Sequence, residues 1–247
     1  MRLLAPGGIL AAADDDGGLG LDASLRFTPT QAGDHVVELA AVGSLAGAYL
    51  FQASADAPGN DLYVVTNGAA LVLETGDQGF DTVLASVSYA LAPGVTVERL
   101  ATTAEGGKAS LNLTGNEAAQ SIFGNAGANV LDGKGGPDML WGKAGKDLFA
   151  FSTALGNGNV DGLPDFNVRD DTIGLDDSVF GGLPLGSLAR GAFVTGTAAR
   201  QADDRIVFDP ATGHLYFDAD GVGGAAQIHF ATLTAGLKLT AADFVVI

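Results

Sequence analysis

The residues with the clearest chemical pattern lie between Gly124 and Ala150 and read, in nines, GNAGANVLD, GKGGPDMLW, GKAGKDLFA. Position one is Gly124, Gly133 and Gly142, and position four is Gly127, Gly136 and Gly145. Position six is Asn129, Asp138 and Asp147, and position eight is Leu131, Leu140 and Phe149. Glycine makes up 37 of the 247 residues. Six glycines in six named slots would then arise by chance roughly once in a hundred thousand, so a fixed-period repeat is the better account. Glycines let a six-residue turn reach positive φ and point several carbonyls inward. The three residues that follow make a short strand whose position-eight side chain faces the core. Stacked turns then gather carbonyl oxygens and position-six carboxylates around one cavity. Calcium takes about six to eight such hard oxygens at flexible geometry. Without an ion the aligned carboxylates repel and the carbonyls lack partners, so ion binding would be coupled to folding.

Other chemistry is poorly served. The histidines are His35, His214 and His229, and HVVEL at 35–39 has no second histidine. HExxH and GxSxG do not occur, and the Gly-Lys pairs at 107, 133, 142 and 145 lack the spacing of a phosphate-binding loop. Each histidine is read as strand surface or core, and Tyr63, Trp141 and Phe149 as packing residues. There is no cysteine, which excludes disulfides, thiolate catalysis and Cys-ligated zinc. The expectation is a chain that is not itself an enzyme. With 29 Asp plus Glu against 12 Lys plus Arg, the net charge is -17. That charge repels nucleic acid and anionic membranes and attracts cations. No stretch is long and apolar enough to span a bilayer. MRLLAPGGILAAA has a short apolar run, but Pro6-Gly7-Gly8 breaks it as a signal-peptide helix.

The elements that would position the repeat read as nearly all β. Short runs rich in Val, Leu, Thr and aromatics recur between Gly, Asn and Asp clusters. They include LRFT, HVVELAAV, AYLFQA, LYVV, ALVLE, TVLASVSYAL, VTVERLATT, SLNLTG and IVF. No helical periodicity persists over ten residues. IVFDPATGHLYFD reads as a hairpin turning at Pro-Ala-Thr-Gly, and DADGVGG as a second turn. Three units are expected: residues 1–56, a solenoid over 57–158, and a β-rich acidic unit over 159–247.

The nonads resemble those of RTX, or hemolysin-type calcium-binding, proteins, including the tails of serralysin-like proteases. That resemblance implies a right-handed parallel β-roll, two nonads to a coil, with calcium between turns two repeats apart. Carried over by position, it implies side-chain ligands Asn129 and Asp147 with carbonyls of Gly124, Ala126, Lys143 and Gly145. A second, weaker site falls at Asp138. Position two is Asn or Lys rather than Gly, and Asn129 replaces an Asp. The preceding nonad GNEAAQSIF has Ala118 and Gln120 at positions four and six. Low affinity follows, roughly 10⁻⁴ to 10⁻³ M as in extracellular modules. Asp61 and Asp81 are read as turn residues. Asp218 and Asp220 resemble the start of a calcium loop, but no Glu follows at the EF-hand spacing.

LPDFNVRDDTIGLD, the stretch from Ala202 to Phe230, and DFVVI resemble the terminal segment of proteins exported by type I secretion, which caps the roll and carries the export signal. Residues 1–56 are similar to the later strands of the bacterial pre-peptidase C-terminal β-sandwich, whose earlier strands would then precede Met1. Together these resemblances imply a secreted bacterial calcium-binding module that engages the type I secretion machinery. The alternatives are the tail of a serralysin-like metalloprotease, or a surface module whose sandwich contacts glycan or protein.

Overall fold

In the computed structural model the described residues are the strand segments Arg2–Ala5, Ile9–Ala13 and Val36–Leu39, then residues 59–72, 74 and 79–247. They are all-β, with two single-turn 3-10 helices, Arg190–Ala192 and Ala241–Asp243, as the only helical elements among them. The centre is a parallel β-solenoid of about five turns.

Its construction follows from strand length. Parallel neighbours need a crossover of a dozen or more residues. Here the crossover is itself a turn, a short strand in the opposite sheet, and a second turn. Ile122 therefore pairs with Leu140 in one sheet, while Leu113 pairs with Leu131 in the other. The larger sheet runs in parallel from Val36–Leu39 through Leu62–Val65, Thr82–Ala85, Arg99–Thr102, Ser121–Phe123, Met139–Trp141 and Asp161–Leu163 to Ile228–Leu233. The smaller runs through Tyr89–Ala90, Asn112–Thr114, Val130–Asp132, Leu148–Phe151, Thr172–Leu175 and Phe244–Val246.

Strands of three or four residues can turn only one or two side chains inward, so each coil contributes one or two large residues per sheet. Val83, Leu100, Ile122, Leu140 and Leu163 form one fully buried row; Leu113, Leu131, Phe149 and Ile173 form the facing one. Each such burial stabilises by about 1.5–3 kcal/mol. The three position-eight residues are all in these rows.

Two segments expected as single strands divide. TVLASVSYAL carries Thr82–Ala85 in the larger sheet and Tyr89–Ala90 in the smaller, because the chain crosses the coil between them. Among the described residues of ALVLE there is only a bridge at Leu71. The expected hairpin is present, with Ile206–Asp209 antiparallel to His214–Phe217. The latter pairs antiparallel with Ile228–Leu233, which continues the larger sheet. Phe244–Val246 continues the smaller sheet after a capping box closed by Thr240 and Asp243. Both sheets are thus extended by C-terminal strands, over a cluster in which Phe180 meets Phe217 and Phe230 edge-on at 5.2 and 5.1 Å. At the other end Arg2–Ala5 pairs antiparallel with Ile9–Ala13 and Val36–Leu39. The rest of the unit expected over residues 1–56, including LRFT, AYLFQA and His35, lies outside the described residues.

Candidate metal centre

The position-six residues form two ladders, one on each edge of the solenoid. On one edge the backbone N–H of Asn129 donates to Asp147 Oδ1 at 2.7 Å, and that of Asp147 to Asp171 Oδ1 at 3.0 Å. On the other, Gln120 N–H donates to Asp138 Oδ1 at 2.6 Å, and Asp138 N–H to Asp161 Oδ1 at 3.0 Å. The pattern extends backwards, with Asp61 N–H on Asp81 and Asp81 N–H on Glu98. Each carboxylate therefore caps the corresponding residue one coil earlier. An ionised acceptor makes such a bond roughly twice as strong as a neutral one.

The second oxygen of the central carboxylates is the unusual feature. Oδ2 of Asp138 and Oδ2 of Asp147 are buried without a hydrogen-bond partner. The two residues are 1% and 2% exposed. Each Oδ2 points at the first glycine of its own turn. A Cβ on Gly133 would sit 2.2 Å from Asp138 Oδ2, and one on Gly142 would sit 2.5 Å from Asp147 Oδ2. Glycine at position one is thus the space the carboxylate occupies. At position four the limit is backbone stacking: Gly145 has φ +135°, and its Cβ would lie 2.4 Å from the carbonyl oxygen of Gly127.

Burial without a cation pushes these acids up, because the charged form loses its hydration. Desolvation first, then the neighbouring carboxylates, raise Asp138 to about 8 and Asp147 to about 7. Asp161 rises to about 7, again mainly by burial with Asp132 nearby. Asp171 shifts in the same direction. Among the described residues the one ion pair in this region joins Lys134 Nζ to Asp132 Oδ2, at 3.1 Å. No three acidic or histidine side chains converge on a single point among the described residues. A cation here would need backbone carbonyls to complete its shell.

The carried-over ligands are distributed as follows. Asn129 meets Asp147 through its backbone N–H, while its side-chain oxygen accepts from Asn125 N at 2.8 Å. The carbonyl of Gly124 accepts from the Thr102 hydroxyl at 3.1 Å. Ala126 lies half-buried on the same turn. Lys143 and Gly145 are on the exposed rim of the turn stacked against it, Lys143 with φ 75°. Sequence reasoning did not single out Asp161, Asp165 and Asp171. Asp165 accepts from Gly142 N and Lys143 N at 3.1 and 2.9 Å. The signal for Asp161 and Asp171 is an acid just before an apolar strand, but it falls 23 and 24 residues after its ladder partner instead of 18.

Elsewhere, Tyr63 donates to the buried Glu74, and Asp81 is raised to about 6 by burial beside Glu98 and Asp61. Asp218 Oδ1 caps its own turn, accepting from Asp220 N and Gly221 N at 3.2 and 2.9 Å. His214 and His229 lie ring against ring, 4.3 Å apart, on the hairpin sheet. Trp141 stacks on Phe123 on the outer face, with centroids 4.4 Å apart. No protein-family model matches the chain, and no curated protein matches it.

Proposed function

We propose that this chain is a calcium-dependent folding and secretion module of a bacterial protein exported by a type I system, non-catalytic by itself. The observation that carries the reading is the pair of orphaned, buried Oδ2 atoms on Asp138 and Asp147. A buried acceptor left unmade costs about 1–3 kcal/mol, and more when charged. Two such atoms, on opposite edges of one coil of an acidic chain with no lysine or arginine paired to them, each fit a divalent cation with oxygen ligands.

When bound, calcium supplies the positive charge and the oxygen-seeking shell that these turns lack. The chain's own residues do the rest. Asp138 and Asp147 each hold one oxygen on a backbone N–H of the preceding coil and leave the other free. Asp161 and Asp171 fix the next coil in the same way. Where calcium is scarce, as in a bacterial cytosol, the repelling carboxylates favour opening of the coils that carry them, which eases threading. Where it is abundant, binding to the folded state alone draws the equilibrium forward by mass action. The C-terminal segment supports the export half of the reading through its sequence. Phe244–Val246 is the outer parallel strand of the smaller sheet, so a signal there is legible to a transporter only before folding.

Isothermal titration calorimetry on the chelator-stripped chain tests the binding half. Saturable calcium heats with none from magnesium are expected. Absence of any saturable calcium binding up to about 10 mM, above the weakest extracellular-module range, overturns the proposal.

A further inference from the structure

Four consecutive turns of the repeat close in two different ways. In the turn 124–129, Asn125 N–H donates to Asn129 Oδ1 at 2.8 Å, and Asn129 Nδ2 donates back to Asn125 Oδ1 at 3.2 Å. The same Asn125 oxygen accepts Gly127 N–H at 2.7 Å. The turn 115–120 repeats this with a longer amide. Asn116 N–H donates to Gln120 Oε1 at 3.1 Å, Gln120 Nε2 to Asn116 Oδ1 at 2.6 Å, and Ala118 N–H to Asn116 Oδ1 at 3.0 Å. All four amide side chains are buried.

The turns 133–138 and 142–147 replace Asn at position two by Lys134 and Lys143, and the amide at position six by Asp138 and Asp147. Both lysines have positive φ, 70° and 75°, which turns their N–H groups away. Lys134 N–H goes to Asp132 Oδ1 at 3.0 Å, and Lys143 N–H to Asp165 Oδ2 at 2.9 Å. A carboxylate has no hydrogen to donate back across the turn, and a lysine side chain offers no acceptor. These are the turns whose Oδ2 atoms are orphaned.

We infer that the solenoid is divided in its metal requirement: the amide-closed turns 115–120 and 124–129 hold their shape without any cation, and the carboxylate turns 133–138 and 142–147 are the ones calcium completes. This rests on the calcium reading above. The paired amides are a neutral, self-complementary substitute for the ion. They supply both a donor and an acceptor across the turn, with nothing left charged. The closed turns also act as a template. Gln120 N–H and Asn129 N–H orient the first oxygen of Asp138 and Asp147, leaving the second for the ion. It follows that the side-chain oxygen of Asn129 is not a calcium ligand.

Hydrogen–deuterium exchange on the full chain, in chelator and then in excess calcium, tests this at peptide level. Peptides covering 115–132 should be protected in both conditions. Peptides covering 133–150 should slow by about tenfold or more when calcium is added, as linkage to a saturating ligand requires. If both stretches gain protection equally, the closed turns need the ion too and the division is wrong, while the calcium reading stands. If neither stretch responds, the calcium reading itself fails. A second arm uses K134N/D138Q/K143N/D147N, which writes the amide closure into the open turns. Its 133–150 peptides should be protected in chelator and unmoved by calcium. Exchange as fast as in the chelated parent would show that the amide pairs do not close these turns.

Discussion

The backbone N–H of Asn129 lies 2.7 Å from Oδ1 of Asp147, while Oδ2 of the same carboxylate is buried with no partner. One oxygen is fixed by the coil before it, and the other is buried with nothing to receive it. That half-satisfied state repeats at Asp138 against Gln120. A chain with well-packed core rows thus still carries two buried acceptors that an outside ligand would satisfy.

The two halves of that carboxylate can be separated by substitution. Asp147→Asn keeps an acceptor for Asn129 N–H and removes the charge. Asp147→Ala removes both and leaves a buried N–H unpaired, a loss of about 1–3 kcal/mol. In chelator, urea unfolding should therefore rank the Asn variant at or above the parent and the Ala variant below it. In calcium, both should lose stabilisation relative to the parent. An Asn variant that responds to calcium as fully as the parent would remove Asp147 from the ligand set.

Acid should substitute for the ion. In the metal-free fold Asp138, Asp147 and Asp161 sit at about 8, 7 and 7, above the ordinary carboxylate value of 3.8. The folded state thus holds protons that the unfolded chain releases. Stability from these groups is complete below the unfolded value and is lost as pH rises through the folded ones. Between pH 4 and pH 8 the chelated protein should lose stability steadily. The calcium-induced gain should grow over the same range, because the ion needs the ionised carboxylates. Thermal melts at pH 5.5 and 8, with and without calcium, measure both slopes. A chelated form more stable at pH 8 would contradict the burial of these charges.

The stacking distance of the turns is set by glycine. Gly145→Ala places a Cβ 2.4 Å from the Gly127 carbonyl at a φ of +135°, so two coils must separate. Gly106→Ala meets nothing within 4 Å. The first should lower both thermal stability and calcium affinity, and the second should leave both near the parent values. Equal behaviour of the two variants would mean that the turns are not stacked this closely.

The repeat was legible in the sequence because its three copies are contiguous and in phase. Leu131, Leu140 and Phe149 recur every nine residues and all reach the buried rows. The ladder beyond them was not legible. Asp161 and Asp171 keep the same role, but longer loops shift their spacing to 23 and 24 residues, and a fixed period no longer finds them. Asn125 and Asn116 read as departures from a glycine position. Only the structure shows that each is half of an amide pair with the residue four places on, a contact that hydrophobic periodicity cannot encode. Chain crossings were hidden for a similar reason: TVLASVSYAL is one apolar run that serves two sheets.

The central claim is that calcium is a folding ligand of this chain. Its most direct test is far-UV circular dichroism of the chelator-stripped protein titrated with calcium, with magnesium as the control. The account predicts a cooperative gain of β signal with calcium, with its midpoint at about millimolar concentration or below, and no comparable gain with magnesium. A full β spectrum in chelator that calcium does not move, with an unchanged melting temperature, would contradict it.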